Sequence, residues 1–281
     1  MTDTHSLAAK VAAFRELHAL SGAFVMPNPW DVGSTRILAA LGFAALASTS
    51  AGAAFAMGLR DGALGRGAII ANAGAIAAAT DLPVNADLEN GFGDAPEDAA
   101  LTIRRAAEAG LAGGSIEDST GDPTRPIYAF EHAVERVAAA VEAARGTGAG
   151  FVFTARAENF LHGRPDLDDT IRRLQAFEKA GADVLYAPGL PDYDAIRAVC
   201  AAVSKPVNVL ANTRIPGLSV PILAELGAKR ISLGGTLSRT ILGSLVRAAR
   251  ELRNEGTFAF AQDALPMAEI SAFMLPAGPR P

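Results

Sequence analysis

The chain has 281 residues, 50% of them apolar, with only 6% aromatics and a formal charge of -5. That balance, without any Lys/Arg cluster, argues against nucleic acid as a partner, and the longest small-apolar stretch, Ile69 to Ala79, is too short to span a bilayer. The single cysteine, Cys200, leaves no internal disulfide or thiolate cluster, and the N-terminal residues Asp3, His5, Lys10, Arg15 and Glu16 lack a signal peptide's apolar core, so the expected setting is the cytoplasm.

Thr4–Leu20 has helical periodicity and precedes a first strand candidate, Phe24–Pro27. Further short apolar runs follow at Ala44–Thr49, Pro83–Glu89, Gly114–Glu117, Phe151–Arg156, Val184–Ala187, Val207–Ala211 and Ile231–Leu233. Between them lie helical segments such as Pro96–Ala109, Phe130–Ala144, Asp168–Ala180 and Asp192–Val203, several closing on Gly as helix C-termini often do. Leu237–Glu255 reads as a last helix, and the tail over 257–281, rich in Pro, Ala and Gly from Leu265 on, reads as peripheral. Regular alternation of strand and helix, with no G-x-G-x-x-G after a first strand, predicts a single α/β domain over 1–281, a (β/α)8 TIM-type barrel with its core at about 23–256.

Barrel chemistry sits at the C-terminal ends of the strands. Sorted by that rule, one rim collects Ser48, Thr49 and Ser50, then Asp87 and Glu89, then Glu117 and Asp118, then Arg156, Glu158 and Asn159, and Asn212. Asp87 and Glu89 stand two residues apart, so on a strand they share a face with Cα atoms about 6.5 Å apart. Buried acids need positive charge, which leaves two readings: ligands of a divalent cation, or ion pairs with Arg156. Glu117, Asp118, Thr49, Ser50 and Asn212 likewise read either as site residues or as local turn formers.

An all-oxygen ligand set suits Mg²⁺, with Mn²⁺ as the alternative, whereas zinc would want His or Cys. Of the histidines His5, His18, His132 and His162, only His162, in the loop after the fifth strand, can approach the rim, and its loop position reads as that of a solvated histidine rather than a ligand. Lys10, Lys179, Lys205 and Lys229 all fall on helices or on the opposite face, which removes Schiff-base chemistry. Cys200 lies within a helical run and offers no nucleophile.

Six stretches together resemble the isocitrate lyase/phosphoenolpyruvate mutase superfamily: Asn28-Pro-Trp-Asp31, Ala47-Ser-Thr-Ser50, Gly58-Leu-Arg-Asp61, Asp87-x-Glu89-x-Gly-Phe-Gly93, Ser115-Ile-Glu-Asp118 and Thr154-Ala-Arg-Ala-Glu-Asn159. The resemblance implies Mg²⁺-dependent making or breaking of C–C or P–C bonds beside a 2-oxo or 2-hydroxy carboxylate. It casts Asp87, Glu89 and Glu117 as metal-binding acids and Arg156 as the holder of the substrate's carboxylate or phosphonate. It casts Thr49, Ser50, Ala51 and Gly52 as a carboxylate cradle, Asn212 as substrate-binding, and Asp61 as a mobile-loop nucleophile or positioner. It also implies a homo-oligomer, dimer or tetramer, that exchanges the Leu237–Glu255 helix.

Departures narrow the branch. The Lys-Lys/Arg-Cys-Gly-His loop of the isocitrate and methylisocitrate lyases is replaced by Ser119-Thr-Gly-Asp-Pro-Thr-Arg-Pro126, and the Lys-Thr-Asn loop of the phosphonate mutases is absent. Glu89 stands where aspartate is commoner, and Ala187-Pro-Gly189 offers a substrate neither acid nor histidine. The expected activity is cleavage of a C–C bond in a small 2-oxo or 2-hydroxy acid through an enolate. The alternatives are P–C hydrolysis or mutase chemistry, 2-oxodiacid decarboxylation, and a non-catalytic metabolite-binding barrel.

Overall fold

Short apolar strands separated by amphipathic helices leave each sheet face to be covered by helices, and parallel order follows from that. The computed structural model describes residues 6–211 and 214–275, so Asn212 lies outside the described residues. The chain begins with α1 (Leu7–Ala19), β1 (Phe24–Met26), α2 (Val32–Ala40), β2 (Leu46–Ala47), α3 (Ser50–Ala56) and α4 (Arg66–Ala78). It continues with β3 (Val84–Asp87), α5 (Pro96–Glu108), β4 (Gly113–Glu117), α6 (Phe130–Arg145), β5 (Val152–Arg156) and α7 (Leu167–Lys179). The last strands are β6 (Val184–Tyr186), β7 (Val207–Leu210) and β8 (Arg230–Ser232), separated by α8 (Tyr193–Ala201) and α9 (Val220–Glu225). After them come α10 (Thr236–Asn254), a 3₁₀ turn (Ala259–Asp263) and α11 (Met267–Phe273).

All eight strands pair in parallel in the order β1-β8-β7-β6-β5-β4-β3-β2, a nearly closed (β/α)8 barrel as the alternation predicts. The seam between β1 and β2 is stitched rather than laddered. The Ala47 N–H donates to the Pro27 carbonyl at 3.0 Å. Buried Asn28 donates through Nδ2 to the Ser48 carbonyl at 3.0 Å, while its Oδ1 accepts from the Leu233 and Gly234 N–H groups at 2.8 and 3.0 Å. One asparagine thus ties the tips of three strands.

Helix starts follow the sequence signals. Ser6, Asp31, Asp166 and Asp192 each accept the backbone N–H three residues on, caps worth about 1 kcal/mol apiece. At the barrel's N-terminal mouth, α1 inserts Val11 and Phe14 among Met26, Ala45, Ala112, Val152 and Val184, so the packed structure begins before the expected boundary near residue 23. A side chain at Gly113 would lie 2.6 Å from the Val152 carbonyl and 3.0 Å from the Phe14 ring, which restricts that strand position to glycine.

Outside the barrel, α10 is mostly exposed and carries Ile241, Leu242, Leu245, Val246 and Leu252 at the surface. Among the described residues no helix is long and apolar enough to cross a membrane.

Candidate active site

Alternation along the strands decides which side chains enter the barrel. Asn85 and Asp87, Ser115 and Glu117, Thr154 and Arg156, Arg230 and Ser232 are i, i+2 pairs, and all of them except the fully buried Thr154 line one cavity of about 710 Å³ at the C-terminal ends of the strands. The same cavity is bordered by Thr49, Ser50, Ala51, Asp61, Glu89, Glu158, His162 and Tyr186. Most of the residues expected at the rim thus border one cavity.

Asp118 and Asn159 do not border the cavity, and neither does Gly52. It is buried beneath the rim, where an added Cβ would lie 2.7 Å from both Thr49 Cγ2 and Trp30 Cβ. Its N–H donates to the Thr49 hydroxyl at 3.3 Å, so Thr49 and Gly52 form the N-cap of α3.

Arg156 is the hub. Its Nη1 lies 2.9 Å from Asp87 Oδ1, and its Nη2 lies 3.0 Å from Glu117 Oε2 and 2.8 Å from Glu158 Oε1. The guanidinium also stacks over the Tyr186 ring at 5.0 Å. Burial opposes the arginine's charge, yet Glu117, Glu158 and Asp87 more than offset it and hold its pKa well above the usual value. Asp87 is thus ion-paired with Arg156, one of the two readings of its place in the sequence.

The other oxygens of these acids are also engaged. Asp87 Oδ2 accepts from the N–H and hydroxyl of Ser50, both at 3.0 Å, and Glu117 Oε1 accepts from the Ser119 hydroxyl at 2.6 Å. The Ser50 hydroxyl also lies 3.3 Å from Asp61 Oδ1, which links the exposed loop between α3 and α4 to the floor of the site. Burial first, and then the charge of Asp87, raise the pKa of Asp61.

Glu89 departs from the strand geometry expected of it. β3 ends at Asp87, and Glu89 adopts a left-handed backbone, φ 47°, so the i, i+2 strand argument does not place it. It reaches the cavity by a turn instead. Burial, then the charges of Asp87, Glu117 and Asp61, push its pKa up to about 8, and its buried Oε1 has no hydrogen-bond partner.

Among the described residues no three acidic, histidine or cysteine side chains form a ready metal cage. The donor set nonetheless fits a hard cation in part. Five carboxyl groups, Asp61, Asp87, Glu89, Glu117 and Glu158, border the cavity against two arginines, Arg156 and Arg230, and Glu89 has an orphan oxygen among them. Mg²⁺ ordinarily keeps several waters and needs few protein ligands, so a full protein cage is not required.

A second layer fixes the first. Asp118, read from sequence as either a site acid or a turn former, faces away from the cavity: its Oδ1 accepts the Glu158 N–H at 2.8 Å and its Oδ2 pairs with Arg173 of α7 at 3.0 Å. Arg173 also holds Asp169 at 2.8 Å, and Asp169 accepts from Asn159 Nδ2 at 2.9 Å. Beneath the rim, buried Arg230 donates to Asn208 at 2.9 Å and to Thr154 at 3.0 Å, and burial without a carboxylate partner lowers its pKa to about 9. Tyr186 and Arg230 were not anticipated. The available signal was the place of Tyr186 at the C-terminal end of β6 and of Arg230 two residues before Ser232 in β8.

A sequence model of the phosphoenolpyruvate phosphomutase family matches residues 14–253. A crystal structure of a candidate lyase/mutase from Burkholderia cenocepacia J2315 superposes with a TM-score of 0.93 at 55% identity, covering 97% of each chain. The 2-methylisocitrate lyase of Shewanella oneidensis is 31% identical over 242 residues, 80% of each chain. A phosphonopyruvate hydrolase solved with oxalate and Mg²⁺ shares the fold, with a TM-score of 0.83 at 23% identity over 94% of each chain.

Proposed function

This chain belongs to the isocitrate lyase/phosphoenolpyruvate mutase superfamily, whose members are lyases and mutases, and from that premise we propose that it is a Mg²⁺-dependent lyase cleaving a C–C bond in a small 2-oxo or 2-hydroxy carboxylic acid. The observation that carries the reading is the crowding of Asp87, Glu89 and Glu117 around one arginine, with Glu89 Oε1 left unpaired. Those three acids would hold the cation, with Mn²⁺ as a substitute. A bound Mg²⁺ would supply Lewis-acid stabilisation of negative charge.

The remaining work falls to the chain itself. Arg156, relieved of part of its hold on Asp87 and Glu117, binds and orients the substrate's carboxylate. Ser50 and the N-terminal turn of α3 offer donors to the same group, and such a donor in a water-excluded site is worth about 3 kcal/mol when aimed at developing charge. Asp61, on its exposed loop, closes over the bound acid and excludes water.

The test is a panel of 2-methylmalate-type acids, oxaloacetate and phosphonopyruvate, each assayed with Mg²⁺ and with chelator. Release of two organic fragments only with Mg²⁺ supports the lyase. Carbon dioxide with no second organic fragment marks a decarboxylase, and inorganic phosphate marks P–C hydrolysis. Tight binding of an acid with no turnover across the panel marks a binding barrel.

The exposed apolar face of α10 calls for an occupant, and a second copy of this chain fits it. Ile241 is 58% exposed and Leu245 62%, and the run of exposed apolar residues continues through Phe258 and Met267. A homo-oligomer, dimer or tetramer, is the assembly that covers them.

A further inference from the structure

A reaction that leaves an enolate must deliver a proton to carbon; Glu89 is assigned above to the cation and Asp61 to the closing loop, and the remaining groups described so far are engaged elsewhere. Asp87 and Glu117 are held by Arg156 and by serine donors, and Glu158 Oε1 accepts from both Nε and Nη2 of Arg156 at 2.9 and 2.8 Å. Burial pushes the Tyr186 phenol up to about 12 and the Cys200 thiol, remote on α8, up to about 11.

Of the described histidines His18, His132 and His162, only His162 lines the cavity. It sits on a turn built directly on the end of β5. The Leu161 and His162 N–H groups donate to the Glu158 carbonyl at 3.1 and 3.2 Å, and the Arg164 N–H donates to the Asn159 carbonyl at 2.9 Å. The Asn159 bond to Asp169 fastens that turn to α7, so the imidazole is carried on a braced segment rather than a free loop. Its Nε2 lies 4.0 Å from Oε2 of Glu158, whose side chain is 2% exposed, while the histidine's own side chain is 32% exposed. That separation is longer than a hydrogen bond, as is common between catalytic groups before substrate binds.

We propose that His162 is a catalytic residue of this site, the proton carrier for the carbon next to the substrate's 2-oxo carboxylate. The inference rests on the lyase reading above and deepens it. In the step, the enolate C=C electron pair takes the proton from imidazolium Nε2; a C–H bond forms, the N–H bond breaks and the C=O bond is restored. No oxidant or reductant is needed. The neutral imidazole regains its proton from solvent through its exposed edge, and the reverse step removes a proton from the same carbon.

The experiment uses the full chain with MgCl₂ and two probes, pyruvate and oxalate. Methyl H/D exchange of pyruvate in D₂O is followed by NMR, and Mg²⁺-dependent oxalate binding by calorimetry. Wild type should exchange the methyl protons. His162→Gln and His162→Asn should each slow exchange at least about 100-fold, the low end for a general acid–base group, while oxalate affinity stays within about threefold. Exchange at the wild-type rate in a variant overturns the proposal. So does an equal loss of exchange and oxalate affinity, which would make His162 a binding residue, or a wild type that binds oxalate without exchanging pyruvate. A wild type that binds no oxalate with Mg²⁺ overturns the lyase reading itself.

Discussion

Asp87 shows how much one side chain is asked to do. It takes two bonds from Ser50 and one from Arg156, and its backbone N–H donates to the Ser48 hydroxyl at 3.0 Å. Asp87→Ala should abolish measurable Mg²⁺ binding by calorimetry and turnover together, with an unchanged circular dichroism spectrum. Retained Mg²⁺ affinity would remove Asp87 from the metal set. At the opposite mouth, His18 is packed edge-on between the rings of Phe14 and Phe24, with Nδ1 2.7 Å from the Phe14 carbonyl. Burial, followed by the charge of Arg230, depresses its pKa from 6.5 to about 3. A base depressed on folding stays neutral in the native state while the unfolded chain takes up a proton. Stability is therefore lost as pH falls below about 6.5 and the loss levels off near 3, in all on the order of 3–5 kcal/mol. Urea denaturation at pH 7 and pH 4 should show a smaller loss for His18→Gln than for wild type, and an equal loss would show that the ring is not buried as described.

Among the elements, α7 is the brace of the site. Arg173, on its inward face, pairs with Asp118 behind β4 and with Asp169 on its own helix, and its Nη1 donates to the Tyr128 carbonyl at 3.1 Å. Asp118 in turn fixes the Glu158 N–H, so α7 sets the position of the glutamate that grips Arg156. Breaking a buried pair leaves an uncompensated charge, which costs about 3–5 kcal/mol. Arg173→Met should lower the denaturation midpoint accordingly. Asp118→Asn paired with Arg173→Met should recover part of that loss, because the stranded carboxylate is gone. Additive losses would show that the pair is not coupled.

For the whole molecule, the question is what covers α10. The helix leaves Ile241 and Leu245 on an unpartnered face, four residues apart and so on the same side of the helix. Light scattering should give a mass of at least two chains. Leu245→Glu should shift it toward one chain, and the double variant with Ile241→Glu should complete the shift. A monomeric wild type would leave that surface to another partner.

Much of this protein was legible in its sequence because the signals were local. The strands Val84–Asp87, Gly113–Glu117 and Val152–Arg156 match the apolar runs Pro83–Glu89, Gly114–Glu117 and Phe151–Arg156 to within two residues at each end, and parallel order follows from the helices between them. The rim was legible too, since a barrel sends the last residues of every strand to one face. Partnership was legible only as one of two alternatives, an ion pair with Arg156 or a shared cation. Arg156 and Asp87 are 69 residues apart in sequence, and their pairing exists only because β3, β4 and β5 lie side by side. Asp118 is adjacent to Glu117 yet serves α7 instead of the cavity, a choice made by side-chain direction at the strand's end. Glu89 was placed by a strand rule, but the strand stops before it and a left-handed turn carries it in. Composition and periodicity thus determined which elements form and which residues meet at the rim. Tertiary closure decided which charges touch, because contacts between distant strands depend on the register of a barrel that no local pattern encodes.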